Sequence, residues 1–357
     1  MADTLSSIGL LMAAATSVSN VVKDVGAKKV LDHQEVIAST FWIRLFAAVV
    51  FVGALLFRGW MGNVPVIKSG GFLFGIDGFD AGPIPTWLVY LTIEVILVAF
   101  STILFFRAIQ VSPISLCMPY ISFTPVFLIV TGYLILGELP AQVKLIGVGL
   151  IFVGSIVMHR QLFSAGWLEP IKAIWRERGC FYMLIVGFVN SITNPIDKKL
   201  VGMTDAFTQG CSFGIGMVVF FSILAFARGA DTRKVIREVP LWAMLAGALE
   251  AVALLFQLSS HNYIDVVITI SIKRAGIILT VLLGWIVFKE RNIGDKLVAA
   301  SVMLVGVLVI YLPLTFAQGI TLAVCALCVM GIVLYLTRHR SVPQLSPSGI
   351  ERVKDSA

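Results

Sequence analysis

Residues 88–106 read LVYLTIEVILVAFSTILFF, nineteen positions that carry one charge, Glu94, and are apolar on every side. A helix hydrophobic all round is at home in a large core or in lipid, and about 20 such residues span about 30 Å of hydrocarbon. Comparable runs recur outward from this one, at 6–24, 36–57, 86–109, 111–136, 141–159, 179–199, 206–228, 240–260, 264–288, 294–312 and 316–336. A β-barrel would show short segments of alternating polarity instead. The expectation is an all-α polytopic membrane protein of eleven spans, its first apolar run kept as a helix.

Composition agrees. Of 357 residues 58% are hydrophobic and 13% charged, and the mean hydropathy is +0.96. That is more apolar surface than one core can hide, which excludes a water-soluble fold. The net charge of +7 comes mostly from loops, so it reports membrane orientation rather than nucleic acid. Connections after the odd-numbered spans 1 to 9 carry 15 Lys and Arg, while those after spans 2, 4, 6 and 8 carry 5, namely Arg58, Lys68, Lys144, Lys198 and Lys199. This tally favours an external N-terminus and an internal C-terminus. Five cysteines in or beside apolar runs read as buried small hydrophobes. The stretch 166–179 carries Trp167, Ile171, Ile174 and Trp175 on one helical face, as an interfacial helix does. The polar tail beyond Arg338 lacks apolar periodicity and is expected to be disordered.

The two halves of the chain resemble each other. SVSNVVKD (17–24) matches SITNPIDK (191–198), IPTW (84–87) matches VPLW (239–242), and VTGYLILGELP (130–140) matches LLGWIVFKERN (282–292), so that Glu94 lines up with Glu250 and Gly154 with Gly306. The Gly-rich loop between Arg58 and Pro85 absorbs most of the change in offset. Each copy holds five spans, and an odd number makes the second copy enter the membrane from the opposite side. The expected organisation is a first repeat at 1–160, a linker at 161–178, an inverted second repeat at 179–312, an extra helix at 313–337 and a tail at 338–357. Inverted repeats place their substrate site near the bilayer midplane, between the halves.

Residues 108–140, AIQVSPISLCMPYISFTPVFLIVTGYLILGELP, with 145–158, LIGVGLIFVGSIVM, resemble the third-to-fifth-helix signature of EamA-type members of the drug/metabolite transporter superfamily. Residues 270–290 and 297–311 resemble the ninth and tenth helices. The resemblance implies a ten-helix, two-repeat secondary transporter with both termini cytoplasmic, set in a cell (inner) membrane. This chain departs from it in the candidate eleventh helix and in the charge tally. The Lys273-Arg274 pair is also similar to the Lys-Arg of the phosphate-translocator and nucleotide-sugar branches, which implies binding of a phosphate or another anion.

Ionisable groups at span centres cost about 2.5 to 3.5 kcal/mol on insertion scales and ask for a reason. Arg44 is mid-span. Glu94 and Glu250 lie seven and eight residues beyond Trp87 and Trp242, about 10 to 12 Å deep at about 1.5 Å per residue. Lys273 and Arg274 are the deepest consecutive cations. Three positive charges against two negative leave one for an anionic substrate. Successive helical residues point about 100° apart, so one of the pair should face the pathway while the other meets a neighbouring helix; Lys273, sharing a face with Thr269, is the choice for the pathway. The alternative is that Arg44, Glu94, Glu250 and Arg274 pair with one another, and an unpaired Glu94 or Glu250 would instead couple transport to protons.

Pro113, Pro119 and Pro125 should break the fourth span, freeing carbonyls that must face protein or a wet cavity and offering Ser115, Tyr120 and Ser122 as polar contacts. Asn20 and Asn194 fill equivalent positions of the repeat and either line the pathway or bond across helices. Glu138 and Glu290 read as partners of helix N-termini. The functional expectation is secondary transport of a small polar, anionic metabolite by alternating access, with proton or counter-substrate coupling, membrane lipids as surroundings and no nucleic acid or cofactor. The alternative is export of amino acids or cationic drugs by proton exchange. An enzyme is disfavoured because His33, His159, His261 and His339 lie at span ends or in the tail and no H-E-x-x-H or G-x-S-x-G occurs. A channel would want a filter loop or rings of charge.

Overall fold

The computed structural model describes residues 2–31, 35–62, 83–112, 118–157, 175–276, 279 and 294–337. Among the described residues eleven main helices follow one another: α1 Ala2–Leu31, α2 Val36–Trp60, α3 Pro83–Val111, α4 Thr124–Leu136, α5 Gln142–Val157, α6 Arg178–Met203, α7 Ala206–Arg228, α8 Pro240–Ser260, α9 Val266–Ala275, α10 Gly294–Tyr311 and α11 Phe316–Thr337. A seven-residue helix, Thr232–Glu238, links α7 to α8, and a 3-10 turn, Met118–Phe123, leads into α4. No strand occurs among the described residues. Among the described residues five helices (α2, α6, α7, α8 and Thr86–Ala108 within α3) are long and apolar enough to cross a membrane by themselves, and shorter apolar helices pack with them.

Local chemistry sets the element ends. Asp205 caps α7 by accepting from the backbone N–H groups of Phe207 (2.9 Å) and Thr208 (3.3 Å). Gly137 ends α4 with φ +71°, a left-handed turn that a side chain would strain. Within the described part of the fourth span a 3-10 turn, Met118–Phe123, replaces α-helix beside the prolines, and α4 begins at Thr124 with Pro125 in its first turn. Residues 113–117, including Pro113 and Ser115, lie outside the described residues, as do the insertion at 63–82, most of the interfacial stretch, Glu290 and the tail.

Packing follows an exchange rule between α1–α5 and α6–α10. Helix α1 packs on α8 as α3 packs on α6; α4 packs on α6 as α9 packs on α1; α2 meets α8 as α7 meets α3. The self-related pairs α2 with α7 and α5 with α10 lie against each other. This is the pairing of two inverted five-helix repeats. At the crossing of α5 and α10 the backbones nearly touch: a Cβ on Gly147 would stand 2.6 Å from the Gly306 carbonyl oxygen, and one on Gly306 would stand 2.7 Å from that of Gly147. Helix α11 lies outside the repeats, packed on α5 and α10.

Two stitches hold exchange-related interfaces. Pro195 has no N–H for the Ser191 carbonyl one turn earlier, and Thr131 of α4 donates its hydroxyl to that carbonyl at 2.6 Å. Ser17 of α1, which occupies the repeat position of Ser191, donates to the Ile272 carbonyl of α9 at 2.8 Å. Membrane depth offers no water for such groups, so neighbouring helices satisfy them.

Several expectations need correction. Helix α6 runs four residues past its expected end, to Met203, so Lys198 and Lys199, counted with the connection in the charge tally, lie a turn inside the helix. Glu138 pairs with Lys198 at 2.6 Å rather than resting on a helix dipole alone. Cys180 and Cys211 are buried as expected, whereas Cys325 and Cys328 are exposed on α11.

Candidate functional site

Polar side chains from five helices meet where the repeats face each other. Asn190, Asn194 and Asp197, spaced four and three residues apart, share one face of α6. Glu94 of α3 is 1% exposed and accepts a hydrogen bond from Gln209 Nε2 of α7 at 2.8 Å. Its carboxyl lies beside that of Asp197. Asp197 in turn lies in the field of Lys273. Lys273 Nζ donates to Gln257 Oε1 of α8 at 2.6 Å, and Gln257 Nε2 donates to Asn194 Oδ1 at 3.1 Å. On the flanks, Ser101 bonds to Asn190 at 3.0 Å, and Lys199 donates to the Tyr90 hydroxyl at 2.8 Å, one turn before Glu94. Burying so many polar groups is tolerable only because they satisfy one another.

The candidates read from the sequence separate into groups. Glu94, Lys273 and Asn194 belong to this network. Glu250, the repeat counterpart of Glu94, does not: it forms a 2.6 Å ion pair with Arg44, joining α8 to α2. Arg274 turns away from Lys273, its Nη2 donating to Thr124 Oγ1 of α4 at 3.4 Å, as the 100° step between neighbours requires. Thr269 is fully buried and shares a 3.2 Å hydrogen bond with Ser260. Asn20 donates to the Thr16 carbonyl of its own helix at 2.9 Å. Tyr120 sits in an apolar cluster with Ala108, Cys180, Met183 and Val186, and the Ser122 hydroxyl is engaged by Ser155 of α5. Ser115 lies outside the described residues.

Sequence reasoning missed Asp197, Gln209, Gln257 and His261. Asp197 was masked by the two lysines after it, which suggested a loop. The two glutamines are uncharged, yet an amide in an apolar run asks for a partner as a charge does. His261 follows the end of α8 but is 2% exposed.

Chemically, the network sets one partly buried cation, Lys273, beside two buried carboxyls, Glu94 and Asp197. Among the described residues no three His, Cys, Asp or Glu side chains cluster as a metal site would need.

A family model described as the EamA-like transporter family matches residues 7–160 and 177–312. No curated protein matches the sequence. Solved structures share the fold as well; among them a crystal structure of a protein superposes with a TM-score of 0.56, covering 86% of this chain and 95% of that one at 12% identity, a likeness of fold alone.

Proposed function

The chain belongs to the EamA-like transporter family, multi-pass membrane transporters of small molecules, and from that premise we propose that it moves a small anionic metabolite across a cell (inner) membrane as a secondary transporter. Alternating access would come from one repeat rocking against the other about the Lys273 network. The observation that carries the anionic reading is charge. Lys273, Arg274 and Lys199 stand in the central bundle with two carboxyls, Glu94 and Asp197, three formal positive charges against two negative. A substrate anion would balance the excess. Lys273→Gln in proteoliposomes tests this: uptake of the anion should fall about a hundredfold, the equivalent of roughly 3 kcal/mol for a lost charge-assisted bond. Undiminished uptake by a folded variant removes the anionic reading.

A second reading, export of an amino acid or cationic drug by proton exchange, draws support from the Glu94–Asp197 pair. A proton held there on one side of the membrane and released on the other would couple the cycle. The groups facing the pair are Gln209 from α7, Lys273 from α9 and, one turn along α3, Lys199 from α6. Accumulation of a cation driven by an imposed pH gradient would favour this reading over the first.

A further inference from the structure

His261 lies in the turn between α8 and α9, 2% exposed, and neither ring nitrogen has a hydrogen-bond partner among the described residues. A buried polar group left this way costs about 1–3 kcal/mol, a cost that a leucine or phenylalanine in the same turn would not carry. Its surroundings are polar. Ser260 precedes it and bonds to Thr269, and both are fully buried. Thr269 stands one turn before Lys273 on the same face of α9. On the other side Lys198 donates to the carbonyl of Ile264, three residues beyond the imidazole, at 3.0 Å. The ring therefore feels two ammonium groups, Lys198 and Lys273.

Two features define what this imidazole can recognise. Between two cations and out of water it is neutral, so it offers one N–H donor and one lone-pair acceptor. The complementary group both donates and accepts, as a hydroxyl does. The flanking ammonium groups favour a negative charge close to that hydroxyl.

We propose that His261 is a substrate-binding residue of the transport pathway and reads a hydroxyl on a small hydroxylated anion whose negative group lies toward Lys273. The inference rests on the transporter reading and narrows its substrate class. It also gives the imidazole a reason to be there: a site built to hydrogen-bond a hydroxyl rejects the analogue that lacks it, because the buried partner is then left unpaired.

The test uses the purified full-length protein and two matched pairs of anions: malate with succinate, and glycerol 3-phosphate with propyl phosphate. Within at least one pair, the hydroxylated member should stabilise the protein against heat at a concentration at least about tenfold lower than its partner. It should also shift the ring signals of one of the four histidines in a histidine-labelled sample, the one missing from His261→Gln. His261→Leu should abolish the preference while keeping the size-exclusion profile, and His261→Gln, which keeps a donor and an acceptor, should retain part of it. Which pair responds separates a carboxylate substrate from a phosphate ester. Equal response within both pairs, no response to either, or a preference that survives in His261→Leu overturns the assignment. Preferred binding without movement across proteoliposomes would sink the transport reading and leave His261 as a ligand-reading residue. Transport of a neutral or cationic solute, without binding of either pair, would do the reverse.

Discussion

Lys198 of the second repeat holds Glu138 of the first at 2.6 Å and donates to the Ile264 carbonyl at 3.0 Å, so one ammonium ties the ends of α4 and α6 to the start of α9. The even-numbered spans end on this face. A second ion pair between the repeats, Arg58 with Asp205 at 2.6 Å, lies on the same face, where α2 ends and α7 begins. Both pairs must part if the face is to open.

Lys198→Met should therefore shift the population toward a conformation open on this face. Cysteines placed near Gln257 should react faster with a membrane-impermeant thiol reagent added from that side. With the two side chains 20% and 25% exposed, the loss in stability should fall between that of surface and buried pairs, about 1–3 kcal/mol, read as a lowered Tm. Unchanged labelling would show that the pair fastens nothing.

Glu94→Gln imitates a permanently protonated carboxyl beside Asp197 and Gln209. If the carboxyl pair carries the coupling proton, this variant should keep substrate exchange between equal compartments and lose accumulation driven by a pH gradient. Gradient-driven accumulation at the wild-type level would place coupling elsewhere.

Thr131→Val preserves shape and removes the hydroxyl that satisfies the Ser191 carbonyl released by Pro195. An orphaned buried acceptor costs about 1–3 kcal/mol. Restoring the backbone donor with Pro195→Ala in the same chain should recover most of the lost Tm, a coupling that independent sites would not show.

The imidazole of His261 is pushed down to about 3, by burial first and then by the charges of Lys198 and Lys273. Those lysines are engaged in turn, Lys198 by Glu138 and Lys273 by Asp197. An ordinary histidine titrates near 6.5, so below that value the unfolded chain binds a proton that the folded chain refuses. Stability from this residue is complete above about pH 6.5 and is lost progressively as pH falls toward 3. Thermal unfolding from pH 7 to pH 4.5 should fall less steeply in His261→Leu than in the parent. Identical slopes would show the imidazole to be solvated.

Much of the architecture is written locally. Continuous apolar runs such as 88–106 give helices that cross lipid, whatever their neighbours, because hydrocarbon leaves the backbone no other way to satisfy itself. The match of 17–24 with 191–198 and the odd count of five gave the inversion, and the prolines of the fourth span announced the break before α4. Partnership was not legible in the same way. Glu94 and Glu250 hold equivalent places in the repeat, yet one joins Asp197 and Gln209 while the other is neutralised by Arg44. That choice depends on which helices adjoin and how each is rotated about its axis, which no single run encodes. The same holds for Lys273, whose depth the sequence displayed but whose bond to Gln257, and whose nearness to His261, arise only when α6, α8 and α9 close around one another.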